Sequence, residues 1–222
     1  MSETAADANR PDVLVIGGGP AGSTAAAFLA KMGRHVVVVE KEAHPRFHIG
    51  ESLLPRNLDI FERLGVLDEV RAIGVHKPGA EFASDRTGRR SHFPFANALN
   101  RDRTHAWQVR RAELDALLFA NATKHGAAAF QETRVTDVQL GTPGQRSVVT
   151  ARDKADATLE WRPRYVLDAS GRDTFMATRM KVKSFNKYNN TAAIYAHFTG
   201  VTRREGDLDG YISIHLVEDG WF

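Results

Sequence analysis

Asp12-Val13-Leu14-Val15-Ile16 is an apolar, β-branched run that ends in glycines, and it predicts a buried strand. A helix is expected from Ala21, with Ala21, Ala25, Phe28, Leu29 and Met32 on one face and Gly33 as its left-handed stop. His35 to Glu40 reads as a second buried strand. Strand, helix and strand in this order form a βαβ unit with parallel strands. Lys41 to Gly50 is a polar loop. A helical stretch follows from Glu51 to Leu64, with Pro55 in its first turn and Leu54, Leu58, Phe61 and Leu64 as its apolar face.

Ala80–Phe82 and Ser91–Phe93 read as a strand pair turning at Thr87-Gly88. Arg111 to His125 is a helix with Leu114, Leu117 and Leu118 on one side. Thr133–Leu140, Ser147–Asp153 and Thr158–Arg162 are β-like segments separated by turn residues, which predicts an antiparallel meander. Tyr165–Asp168 is another buried strand. Thr191–Phe198 and Tyr211–Val217 are expected as strands, and Asn186 to Asn190 as a loop. The fold class is α/β: a Rossmann-type domain of the glutathione-reductase kind with a β-meander. Residues 1–10 are expected as a flexible tail, 11–182 as the main domain with strands 80–95 and the meander 133–162 inserted, and 183–222 as the start of a second domain.

At 222 residues, 42% apolar and 26% charged, the chain has ordinary globular chemistry, which sets disorder aside. It has no cysteine, so disulfide and thiolate-metal chemistry are excluded. No apolar run reaches the roughly 18 residues of a membrane span. The first ten residues lack the features of a signal peptide, so a cytoplasmic location is expected. A net charge of +3 from scattered basic residues is weak footing for nucleic-acid binding.

Chemistry enters at Gly17-Gly18-Gly19-Pro20-Ala21-Gly22, a G-x-G-x-x-G that follows a strand and opens a helix. Gly17 allows the tight turn, Gly19 lets a pyrophosphate approach the backbone, and Gly22 lets helix and strand pack closely. The helix N-terminus, opened by Pro20, supplies N–H groups from Ala21 onward for phosphates. Glu40, ending the next strand, would accept hydrogen bonds from a ribose diol and repel a 2′-phosphate. NAD or FAD therefore fits better than NADP. The plainer alternatives are a glycine-rich turn and a solvated strand-end acid.

Glu40-Lys41, followed by Pro45-Arg46-Phe47-His48-Ile49-Gly50-Glu51-Ser52-Leu53-Leu54-Pro55, resembles the flavin-dependent halogenases of the tryptophan-halogenase type. These belong to the wider FAD-dependent aromatic monooxygenase family. The P-R-x-x-x-G-E-S-L-x-P string is far more specific than the glycine fingerprint. Gln108 to Asp115 is similar to the family's Q-V-x-R-x-x-x-D helix start, and Asp168-Ala169-Ser170-Gly171 to its D-A-S-G strand end. Trp221 falls where the family has W-x-W-x-I-P. The resemblance implies that Arg46 and Arg111 lie along the FAD ribose and pyrophosphate, and that Gly50, Glu51 and Ser52 lie beside the flavin ring. It places Lys41, Asp168 and Gly171 in the same cofactor site. A surface ion pair for either arginine, and a helix cap at Ser52 or Glu51, are the structural alternatives.

Lys77 to Phe82 resembles the family's K-x-G-A-x-F segment, which implies that Lys77 is the catalytic lysine. The resemblance implies that reduced FAD, supplied by a separate flavin reductase, works with O2 to oxidise a halide to hypohalous acid. Lys77 then hydrogen-bonds that acid or becomes a haloamine, and halogen passes to an electron-rich aromatic or carrier-protein-bound substrate. The alternatives are an ordinary surface lysine on an FAD hydroxylase, an isoprenoid reductase, or a truncated flavin-binding module without catalysis. His44, His48 and His76 lack metal-ligand spacing, and the family needs no metal. Trp107, Trp161 and Trp221 read as packing aromatics. The rest of W-x-W-x-I-P and a later G-D-A turn are not in the sequence, so the chain is expected to be the N-terminal part of a longer enzyme. Alone it is expected to bind FAD incompletely and not to turn over.

Overall fold

Every residue of Val13–Ile16 is buried, as an unbroken apolar run demands of a strand covered on both faces. The computed structural model describes residues 8–99, 101–188 and 191–222. In chain order the elements are β1 (Val13–Ile16), α1 (Pro20–Lys31), β2 (Val36–Val39), α2 (Arg56–Leu64), α3 (Leu67–Ile73), β3 (Gly74–Lys77), β4 (Gly79–Ser84), β5 (Arg90–Pro94) and β6 (Ala106–Val109). They continue with α4 (Arg111–Lys124), β7 (Ala128–Phe130), β8 (Arg134–Gln139), β9 (Val148–Arg152), β10 (Thr158–Trp161), β11 (Tyr165–Asp168), α5 (Phe175–Arg179), β12 (Ile212–Val217) and β13 (Gly220–Trp221). Two compact units result. One joins the residues up to His48 with Arg111–Phe185, and the other joins Ile49–Arg110 with Asn186–Phe222.

The first unit is built on a parallel sheet of order β11-β1-β2-β7. Its central valines alternate between two faces. Leu14, Ile16, Val37 and Val39 meet Val135, Val149, Ala151 and Trp161 of the antiparallel meander β10-β9-β8. Val15 points the other way, toward Gly22 of α1. Helix α1 packs in turn on α4. The layers are therefore meander, parallel sheet and helices, the α/β arrangement the alternation predicts. Trp161 closes the meander, 2% exposed and edge-on to Phe130 at 4.9 Å. Trp161→Ala should cost about 3–5 kcal/mol of stability, read as a lowered urea midpoint with an unchanged slope.

Helix α1 corrects the expected apolar face. Its buried residues are Gly22, Ser23, Ala26 and Ala27, while Met32 is 70% exposed. Small side chains let the helix approach the sheet and α4 closely, and that spacing outweighs the larger residues on the neighbouring stripe. Gly33 does take the left-handed conformation, at φ 74°.

In the second unit β4 is central to a sheet of order β13-β12-β4-β5, with β12 parallel and β5 antiparallel to it. The predicted pairing of residues 80–82 with 91–93 is present, with Ala80 opposite Phe93. A second antiparallel pair is β3 with β6. Leu58, Phe61 and Leu64 of α2 are buried, and Gly65 ends the helix at φ 76°.

Three expectations change in this unit. Helix α2 begins at Arg56, not Glu51. Residues 51–53 run extended along β6, with Ser52 bridging Gln108, the Leu53 N–H donating to the Trp107 carbonyl at 3.1 Å and the Val109 N–H to the Glu51 carbonyl at 2.9 Å. Those backbone groups cannot also serve a helix, and Leu54 is left exposed. Residues 191–198 form no strand, and Ile194, Tyr195 and Phe198 are exposed. A strand needs a ladder partner, which an apolar pattern does not supply. Finally, 49–110 joins 186–222, since β4 and β12 share a sheet, and the first unit closes at Phe185, whereas one domain was expected over 11–182. The expected tail at 1–7 and the expected loop at Asn189 and Asn190 lie outside the described residues.

Candidate functional site

The turn after β1 lines a cavity of about 440 Å³ in the first unit, a size suited to a cofactor or other small ligand. Gly17, Gly19, Pro20 and Ala21 form one wall, and Glu40, Lys41, Arg46, Arg111 and Gly171 contribute to the others. Gly17 has φ 100°, and a Cβ there would lie 2.6 Å from the Ala169 carbonyl oxygen at the end of β11. A Cβ on Gly22 would lie 1.9 Å from the Gly17 carbonyl oxygen. At Gly19 the same addition meets only Arg46 Nη2, at 3.7 Å. Two glycines thus close the packing behind the turn, and the third leaves its front open. Gly19 caps α1 with no side-chain hydrogen bond and Pro20 holds the first helical position, so no side chain claims the N–H groups of the first turn.

Charge along the wall is organised around two carboxylates. Glu40, 3% exposed, accepts the Gly18 N–H at 2.7 Å and the Glu42 N–H at 2.9 Å. Asp115, 0% exposed, accepts from Arg111 through Nε at 2.8 Å and Nη2 at 3.0 Å, and from Arg46 Nη1 at 3.3 Å. Arg46 Nη2 also stands 3.7 Å from Glu40. Arg46 Nε lies 3.2 Å from Glu42 Oε2, but it is buried and aligned with no hydrogen-bond acceptor. An orphaned guanidinium N–H on a wall that also carries Lys41, Arg111, Arg134 and Arg172 suits an anionic group such as a pyrophosphate. Asp115→Ala would take from Arg46 and Arg111 the fully buried carboxylate they share. It should destabilise the fold by about 3–5 kcal/mol in chemical denaturation.

Other expected site residues have different surroundings. Lys41 is paired with Asp173, and the Lys41 ammonium holds the Asp173 carboxyl below its ordinary range. Asp168 stands behind the cavity, accepting the Ser170 N–H at 3.0 Å and the Met176 N–H at 2.8 Å, so it shapes the turn that carries Gly171. His44 stacks on Phe119, His48 lines the cavity, and His76 lies against His105 and Trp107. Among the described residues no three His, Asp or Glu side chains are grouped to hold a metal. Trp107 and Trp161 are buried packing residues, whereas Trp221 is exposed on β13.

Gly50, Glu51, Ser52 and Lys77 belong to the second unit. Lys77, at the end of β3, is 3% exposed. Its Nζ donates to Ser52 Oγ at 2.7 Å and to the Leu53 carbonyl at 2.8 Å, and lies 5.3 Å from the centre of the Phe95 ring. Both acceptors are neutral, and burial pushes the amine below the ordinary lysine range. Glu51 faces His197 at 3.7 Å. Two motifs separated by about twenty-five residues in sequence therefore converge on one amine.

Sequence reasoning left Asp115 and the far wall, Thr133 to Val135 and Phe175, without a role. The Arg111/Asp115 spacing of one helical turn was the available signal for the first. Nothing local marks the second, because the meander brings it there.

The FAD binding domain family model matches residues 10–214. The chain is 36% identical over 196 residues to a flavin-dependent halogenase of Armillaria mellea, covering 86% of this chain and 38% of that protein. It is 31% identical over 227 residues to the 1H-pyrrole-2-carbonyl-peptidyl-carrier-protein chlorinase of Pseudomonas fluorescens, covering 93% and 50%. The solved structure of CmlS, a flavin-dependent halogenase, superposes with a TM-score of 0.84 at 35% identity, over 96% of this chain and 38% of that one. The chain thus spans half or less of each relative's length, and its likeness is to FAD-dependent halogenases, enzymes of the oxidoreductase type. With the glycine turn, its cationic wall and a family match over nearly the whole sequence, the chain belongs to the FAD binding domain family.

Proposed function

We propose that this chain is the FAD-binding part of a flavin-dependent halogenase that modifies an electron-rich aromatic substrate, free or held on a carrier protein. The observation that carries the reading is the buried amine of Lys77, held by two neutral oxygens within the G-E-S-L-x-P segment. An ordinary surface lysine would be solvated and mobile. The Pseudomonas relative, a chlorinase named for a pyrrole held on a carrier protein, supports a carrier-bound substrate.

FAD, when bound and reduced by a separate reductase, supplies the electrons that let O2 oxidise a halide. In this reading Arg46 and Arg111 hold the pyrophosphate charge, Gly19 admits its oxygens to the backbone, and Gly171 lets the end of β11 approach the cofactor. Glu40 lines the cavity with acceptor sites left over for ribose hydroxyls. Lys77 holds hypohalous acid through an N–H, or its neutral amine takes the halogen as the O–X bond breaks, giving up one N–H proton to the departing hydroxide so that water leaves. No helix among the described residues is long and apolar enough to cross a membrane, and we place the protein in the cytoplasm.

The test supplies the full-length enzyme that carries this chain with FAD, a flavin reductase, NADH, O2, chloride or bromide and a panel of electron-rich aromatics, free and carrier-bound. Halogenated product by mass spectrometry, dependent on both reductase and halide, is the expected result. Hydroxylated product without halide dependence would move the reading to a monooxygenase.

A further inference from the structure

The pairing around β6 places the lysine, the serine and a small residue on one face. Lys77 lies opposite Ala106 on β3, and Ser52 lies opposite Gln108 on the other edge of β6. Residues directly opposite in an antiparallel pair share a face, and so do residues two apart on one strand. The side chains of Lys77, Ala106, Gln108 and Ser52 therefore issue from the same side. The Lys77 chain crosses β6 on that side to reach Ser52 Oγ at 2.7 Å. Ala106, whose side chain is a single methyl, keeps the crossing clear.

The two ends of this contact differ in exposure. Lys77 is buried, whereas Ser52 is exposed. The serine thus stands between the amine and the open side, and burial gives no packing reason for its hydroxyl. Its place is held by backbone: the Glu51 and Leu53 main chains are bonded to β6 on either side of it. The Leu53 carbonyl is the second acceptor and comes from the same strapped segment.

We propose that Ser52 is the positioning residue for Lys77, fixing the amine at the surface of its pocket through Oγ. This rests on the halogenase reading, and it moves Ser52 from a neighbour of the cofactor to a partner of the lysine. With two N–H groups directed to Ser52 and Leu53, the remaining valence of nitrogen points away from the protein acceptors. That valence is an N–H when the amine is charged and a lone pair when it is neutral. Without Oγ, the amine keeps one anchor and its orientation is lost.

The test compares Ser52→Ala, Ser52→Thr and wild type in two ways. The first follows the Lys77 side chain by NMR with lysine labelled at Cε and Nζ, its signal identified by its loss in Lys77→Arg. An oxygen acceptor favours the charged amine, so Ser52→Ala should lower the titration midpoint by about half a pH unit or more, and Ser52→Thr should restore it. The second measures halogenated product per FADH2 oxidised in the loaded protein. Ser52→Ala should fall at least about tenfold with its thermal midpoint unchanged, and Ser52→Thr should recover most of the loss. An unchanged titration in Ser52→Ala, or no rescue by Ser52→Thr, overturns the positioning role. If Lys77→Met still gives halogenated product, the halogenase reading of Lys77 fails instead. The titration result stands independently of that outcome. Should Ser52→Ala unfold, Ser52→Cys keeps the shape with a weak acceptor and is expected to show an intermediate midpoint.

Discussion

Lys77→Ala should remove halogenated product while FADH2 oxidation by O2 continues. The loss is expected to be about a hundredfold or more, the range for deleting a group that handles the reacting atom. Lys77 is not among the residues lining the cofactor cavity, so flavin affinity should be unchanged. Paired assays of product and of flavin reoxidation check this. Persistent product would show the lysine to be incidental.

The same residue has a signature in stability. Burial lowers its pKa from the ordinary 10.5, so the folded state gives up the proton at a lower pH than the unfolded state does. Between the two values the unfolded chain binds more protons, and stability rises with pH across that window. Below the folded value the buried charge costs its full desolvation. Lys77→Met, which keeps the stem and deletes the charge, should flatten the rise. Urea denaturation at several alkaline pH values reads the slope in both proteins.

Gly22→Ala should abolish folding of the first unit, and FAD binding with it. Alanine is ordinarily the better helix residue by about 1 kcal/mol. Here its methyl would sit 1.9 Å from the Gly17 carbonyl oxygen, a backbone atom held by the same turn. Relief requires α1 to move off β1, and the small-residue face of Ser23, Ala26 and Ala27 would lose its packing. Gly19→Ala is the informative contrast. Its methyl meets only Arg46 Nη2, at 3.7 Å, so the fold should stand. It occupies the open front of the turn, so FAD affinity should fall about tenfold or more. Circular dichroism melting and flavin-binding titrations separate the two. A Gly22→Ala protein that folds and binds FAD normally would show that the turn is plastic.

Much of this architecture is local. Four consecutive valines make β2 buried wherever it lies, and the apolar β1 followed by glycines, a helix and β2 specifies parallel pairing. The glycine turn could be read because Gly17 and Gly22 answer backbone demands that no other residue meets. The meander could be read from its turn residues, whose conformations are set within a few positions.

What the tertiary structure decided is of another kind. The face α1 buries depends on how closely the sheet and α4 approach, and that distance is not written in the helix. Residues 51–53 became a strap along β6, not a helical turn, because a strand elsewhere in the chain claimed their backbone groups. Residues 191–198 have a strand's composition and no ladder. Asp115 became the anchor of two arginines only once the loop carrying Arg46 folded against α4. Local sequence sets which conformations each segment prefers, since those energies arise within a turn of the chain. Hydrogen-bond partners and burial arise between segments distant in sequence, and so the lysine, its serine and the strand between them met only in the fold.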